Sequence, residues 1–152
     1  MKHGMKYILL IIVSLVLFSC SNSIGKESGS KGYDADKAIQ RGDVVDQHGR
    51  ISNAERLDSF ILSIDEKKVD KIRITRYTIE GDPIFFDFKY DGKVITYKYD
   101  NSNDKFGSSN VRSTVCKNFT KNTEGTTTEY KIEACTGANA EIGDNFSFEI
   151  DQ

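Results

Sequence analysis

Hydrophobic and polar positions alternate most regularly over Ile84–Tyr99, IFFDFKYDGKVITYKY. Apolar side chains at every second residue describe a half-buried strand. The central Asp91-Gly92 supplies the positive φ that a two-residue hairpin turn requires. With that turn, Tyr90 faces Lys93, Phe88 faces Ile95, Phe86 faces Tyr97 and Ile84 faces Tyr99, all eight on one side. The opposite side carries Phe85, Asp87, Lys89, Val94, Thr96 and Lys98 and is expected to be mostly solvated.

The period changes over Ile51–Lys68, ISNAERLDSFILSIDEKK. Leu57, Phe60, Ile61 and Ile64 recur at helical spacing and make one apolar stripe. Ser52 and Glu55 have capping-box spacing, and Lys67 and Lys68 lie where cations complement a helix end, so a helix is predicted over 53–67. A shorter helix is predicted over Ala35–Gln40, with Asp34 as its cap and Gly42 at its end. Val44 and Val45 are then expected to dock into the core, and Asp46–Gly49 to turn.

Lys71–Ile79 is rich in β-branched and aromatic residues, but Ile72 and Ile74 have one parity and Tyr77 and Ile79 the other. This phase change predicts a bulge near Thr75 and Arg76, before a turn at Glu80–Pro83. Val111–Phe119 and Thr127–Cys135 flank the polar turn Thr120–Thr126, and Asn145–Ile150 alternates as a last strand. The fold class that follows is α+β: an antiparallel β-sheet of about five or six strands with one main helix packed on its apolar face.

Ahead of this domain, Lys2, His3 and Lys6 flank the apolar run Tyr7–Phe18. The run is shorter than the about 20 apolar residues that span a bilayer, and it has the layout of a secretory signal. The order Leu17, Phe18, Ser19, Cys20 resembles the lipobox of bacterial lipoproteins, which implies cleavage before Cys20 and its diacylation. Two acyl chains hold a protein stably at a membrane face. The organisation expected is a signal peptide over 1–19, a lipidated Cys20 and flexible tether over 20–33, and a single domain over 34–152. The corresponding location is the outer face of the cytoplasmic membrane.

Losing residues 1–19 removes two of the 21 basic side chains and none of the 23 acidic ones, so the mature formal charge is −4. Nucleic-acid binding wants a basic face, and no nucleic-acid partner is expected. Export also places Cys116 and Cys135 where disulfides persist. If the two oppose each other across a strand pair, Phe119 pairs with Ile132, while Tyr130, Ile132 and Ala134 face away from the cysteines. A structural disulfide is expected, the alternatives being free buried thiols and intermolecular pairing. His48 is the only mature histidine and no CxxC is present, so neither a Cys/His metal centre nor any other cofactor is expected.

The one candidate binding loop is DNSNDKFG, where Asp100, Asn101, Asn103 and Asp104 cluster after a strand. Oxygen ligands in a loop suit calcium. Counted from Asp100, however, the third position is Ser102 and the sixth, which demands glycine, is Lys105. An Asx-rich turn explains the composition without a metal. Glu80, Asp82 and Asp87 are the carboxylates to weigh for acid–base work, but they fall in a turn and on the wet hairpin face. His48 has no nucleophile elbow to serve. No catalytic residue is assigned.

The residues DVV at Asp43–Val45, EGDPI at Glu80–Ile84, YDGK at Tyr90–Lys93, YDNSNDKFG at Tyr99–Gly107 and Cys116 together resemble an uncharacterised family of small lipoproteins of Bacillus-type Gram-positive bacteria, a domain of unknown function. The resemblance covers Asp36–Ile150 and implies lipidation and a single domain, with no activity attached. The function expected is a noncatalytic binding or accessory module, partnered by the membrane through its lipid and by an envelope protein or cell-wall ligand. Two alternatives stand beside it: an inhibitor or immunity-like protein acting through the Asp100–Gly107 loop, and an envelope hydrolase.

Overall fold

The computed structural model describes residues 33–151. Residues 1–32, on which the expected signal peptide, Cys20 and most of the expected tether fall, lie outside them. The elements in chain order are α1 (Ala35–Gln40), β1 (Val44–Gln47), β2 (Arg50–Ser52), α2 (Glu55–Asp65), β3 (Asp70–Tyr77), β4 (Pro83–Tyr90), β5 (Ile95–Asp100), β6 (Val111–Cys116), β7 (Asn118–Glu124), β8 (Thr127–Glu133), α3 (Ala140–Asp144) and β9 (Ser147–Asp151). The α+β class holds, but the strands form two sheets. One is six-stranded in the order β2-β1-β3-β4-β5-β6, and the other is β7-β8-β9. The larger sheet is mixed, because β1 runs parallel to β3. The three helices among the described residues replace the expected single main helix.

The unforeseen division into two sheets occurs within one apparently continuous strand. Val111–Cys116 pairs with β5, the chain bends at Lys117, and Asn118 onward pairs with β8. Phe119 does oppose Ile132, as the cysteine pairing requires. The turn is shorter than Thr120–Thr126, since β7 runs on to Glu124 and Gly125 takes φ 60°.

Burial explains the remaining departures. Ile72 and Ile74 enter the main core with Leu57, Phe60, Phe88, Tyr97, Phe119, Tyr130, Ile132 and Phe148, between the two sheets and α2. Thr75 and Tyr77 face the other way and are buried too, Tyr77 beside Ala38 and Val45. The phase change in β3 is therefore burial on both faces, and no bulge interrupts its register with β4 from Asp70↔Tyr90 to Tyr77↔Pro83. Phe85 is likewise buried on the face expected to be wet, with the Tyr33 ring edge-on at 5.2 Å. Asp43 ties this second layer together. Its Oδ2 accepts from Tyr33 Oη and Thr75 Oγ1, each at 2.7 Å, while its backbone carbonyl accepts from Asn53 Nδ2 at 2.8 Å.

At α1 the Asp34 carboxylate accepts from the Lys37 N–H as predicted. At α2 the capping box does not form: Ser52 pairs with Val45 as the last residue of β2, and the helix starts after Ala54 without a side-chain cap. Its other end closes in a Schellman arrangement. Lys68 N–H donates to Ser63 O at 2.8 Å and Lys67 N–H to Ile64 O at 3.0 Å, with Lys67 at φ 55°.

The β4–β5 hairpin keeps its expected faces but shifts register by two, with Phe88 opposite Tyr97 and Tyr90 opposite Ile95. The cause is the Asp91 carboxylate, which accepts from both Lys93 and Val94 N–H at 2.9 Å and closes a four-residue loop.

Cys116 and Cys135 form a disulfide. They do not lie opposite Tyr130 and Ile132, because Ala134 adopts φ 55°, breaks the strand alternation and turns Cys135 inward.

Candidate functional site

At the end of the larger sheet nearest α3, the core opens into a pocket of about 330 Å³. Its floor is aromatic: Phe86 from β4, Tyr97 and Tyr99 from β5, and Phe146 just after α3. Phe86 lies 5.6 Å from both Tyr99 and Phe146, and Tyr97 lies 5.5 Å from Phe146, ring centre to ring centre. Burial pushes the Tyr97 phenol well above its usual range, so it stays protonated.

The walls are polar. Arg76 leaves β3 with the parity of Ile72 and Ile74, and Arg112 leaves β6 with the parity of the buried Thr114 and Cys116. The sheet therefore presents both guanidinium groups on its core side. Arg76 Nε donates to Asp46 Oδ2 at 2.9 Å, and the Arg76 guanidinium lies 5.6 Å from the centres of the Phe86 and Phe148 rings. Arg112 Nη1 donates to Glu141 Oε1 of α3 at 2.9 Å. Asn101, Asn110, Asn145 and Ser147 complete the rim.

α3 is held over this pocket by a close approach. Gly143 lies against the disulfide, and a Cβ there would collide with Cys135 Sγ and come within 3.0 Å of Cys116 Sγ. The disulfide thus sets the height of the wall that carries Glu141 and Asn145.

Of the four loop residues singled out in the sequence, only Asn101 reaches the pocket. Its Nδ2 donates to Ser108 O at 3.0 Å and its Oδ1 accepts from Asn110 N–H at 2.6 Å, clamping the loop base. Asp104 Oδ1 accepts from Phe106 and Gly107 N–H. Asp100 accepts from Lys98 Nζ through Oδ2 and from Ser102 through Oδ1. The Phe106 N–H bond to Asp104 and a Ser102 N–H bond to Asp100 Oδ1 at 3.0 Å are Asx-turn bonds. Among the described residues, no three His, Cys, Asp or Glu side chains converge as metal ligands. The loop instead displays Phe106, which is 78% exposed.

Asp100 makes the loop sensitive to acid. Burial pushes its carboxyl up, but hydrogen bonds from Lys98 and Ser102 outweigh this and bring it down to about 2 from 3.8. A depressed carboxylate contributes stability above its unfolded value, and that contribution is lost as pH falls through about 2. Solvent screening of this partly exposed ion pair holds the contribution below the full 1.36 kcal/mol per unit, at about 1 kcal/mol. Urea unfolding at pH 7 and pH 2 is expected to show wild type losing about 1 kcal/mol more than Asp100→Asn; equal losses would contradict it.

The carboxylates weighed for catalysis are dispersed. Asp87 is held by Arg73 through two bonds of 2.6 and 2.9 Å. Asp82 accepts from Lys105 N–H at 3.1 Å and Lys105 Nζ at 2.8 Å, which hold its carboxyl below the ordinary value. Glu80 and His48 sit in exposed turns. None of the four lines the pocket.

Arg76, Arg112, Glu141 and Asn145 escaped the sequence reading. The available signal was parity, since each arginine continues a run of core-facing positions. Glu141 and Asn145 gave none, because α3 was not anticipated.

The family model described as a domain of unknown function, DUF4362, matches residues 41–131. No curated protein and no solved structure matches the chain. The matched range carries both pocket arginines and the Phe86, Tyr97 and Tyr99 rings, while α3 and β9 lie beyond it. It spans more than half of the 152 residues, and the chain belongs to this family of domains of unknown function, DUF4362.

Proposed function

We propose that the protein is a noncatalytic binding module, held at the outer face of the cytoplasmic membrane through a lipid on Cys20, whose site is the pocket beneath α3. The pocket carries this reading. An apolar aromatic floor with a few convergent polar groups is the usual make-up of a small-molecule site. The order Leu17, Phe18, Ser19, Cys20 supports the anchor. Labelling with radioactive palmitate tests that half: wild type takes up label and Cys20→Ser does not, whereas an unlabelled wild type removes the lipid.

A cell-wall ligand suits the pocket, and an envelope protein suits the loop. Phe106, displayed on a clamped loop, favours the inhibitor-like reading as second choice. One experiment separates them. The immobilised full chain is exposed to an envelope extract and retained compounds are identified by mass spectrometry, beside Ser108→Trp at the pocket rim and Phe106→Ala at the loop. Loss of a retained small molecule only in Ser108→Trp supports the pocket. Loss of a retained protein only in Phe106→Ala supports the loop, and unchanged retention in both variants defeats both readings.

A further inference from the structure

Arg112 holds an unmet hydrogen-bonding demand. Its Nη1 serves Glu141, but its Nε is buried and has no hydrogen-bond partner among the described residues. A buried donor left unpaired is costly, more so on a charged group. Elsewhere in the same sheet that demand is met: Arg73 gives Nε and Nη2 to the two oxygens of Asp87 at 2.6 and 2.9 Å. The Nε–Nη2 edge of a guanidinium takes a planar carboxylate through two parallel bonds. In Arg112, no carboxylate among the described residues takes Nε.

We propose that the pocket binds the carboxylate of a small ring-bearing acid, with Arg112 as the group that selects it. This deepens the binding-module reading and rests on it. Glu141 holds only the Nη1 end of the guanidinium and leaves its Nε edge without a carboxylate. It is 59% exposed on its side chain, and exposed ion pairs of this kind are weak. Release of Glu141 lets the guanidinium turn its Nε edge to the incoming acid. Arg76, itself paired with Asp46, adds a second guanidinium, so the lining carries two arginines against one glutamate. The ring of the ligand lies on Phe86, Tyr99 and Phe146. At about 330 Å³ the space is near the small end of ligand sites, which suits one ring and its acid arm. A dianionic phosphate is disfavoured, because Glu141 stands beside the guanidinium that carries the unpaired buried donor.

The test uses the full chain in nonionic detergent, titrated with phenylacetate, phenylacetamide and phenyl phosphate and followed by calorimetry. Phenylacetate is expected to bind about tenfold tighter than its amide, the effect of one charge-assisted pair. Arg112→Gln should abolish that preference and Arg112→Lys restore only part of it, because an ammonium cannot form the fork. Glu141→Gln should strengthen phenylacetate binding, an effect opposite in sign to that of misfolding. Equal affinity for acid and amide overturns the carboxylate assignment and leaves the pocket as a binding site. Preference for phenyl phosphate overturns it in favour of a tetrahedral anion. Failure of all three probes also overturns it, and the Ser108→Trp retention experiment then decides the binding reading separately.

Discussion

Replacing Phe88 by alanine is expected to cost about 3–5 kcal/mol, the range for deleting a fully buried aromatic ring. Phe88 is 1% exposed. It stacks on Tyr97 at 4.9 Å and meets Phe119 and Phe146 edge-on at 5.2 and 5.0 Å. Phe60 of α2 lies 6.4 Å away. One ring therefore touches both sheets, α2 and the segment leaving α3, and no neighbour can collapse into the vacancy without abandoning another contact. Domains of this size have about 5–15 kcal/mol of stability in total, so the variant is expected to be marginal. Urea unfolding measures the effect, and a loss below about 1 kcal/mol would show that the two layers do not share this core.

Removing the disulfide as Cys116→Ala/Cys135→Ala is expected to cost about 3 kcal/mol, from the entropy restored to an unfolded chain no longer closed over a separation of 19 residues. The bond lies between backbone hydrogen bonds on either side of it. Thr136 N–H donates to Val115 O at 2.9 Å and Lys117 N–H to Glu133 O at 3.1 Å. Because Gly143 rests against the sulfurs, a double-mutant cycle adds a sharper check. Gly143→Ala should destabilise the bridged protein clearly and the cysteine-free protein much less. Equal costs in the two backgrounds would mean that α3 takes its position from something else.

Elements defined by local chemistry were legible in the sequence. The α1 cap is one carboxylate and one N–H, the α2 stripe follows the helical period, and the hairpin faces follow strand parity. What escaped depended on partners distant in the chain. Ser52 has capping-box spacing to Glu55, yet pairing with Val45 claims it for a strand. The double burial of β3 required knowing that α1 covers its outer face, and the second sheet required the bend at Lys117. The same holds for the site. Asn101 came from a visible polar cluster, whereas the arginines belong to it only because β3 to β6 lie side by side and α3 closes over their ends.

The parallel pairing of β1 with β3 bears on the order of assembly. Val44 reaches Ile74 only after the chain has passed through β2 and α2, whereas Tyr77 and Pro83 pair across a short turn. Closing the longer loop costs more chain entropy and slows the contact. The β3–β6 meander is therefore expected to provide the folding nucleus, with β1 and its helix docking afterwards. Weakening Val44 should speed unfolding and leave the refolding rate nearly unchanged, the signature of a contact formed late.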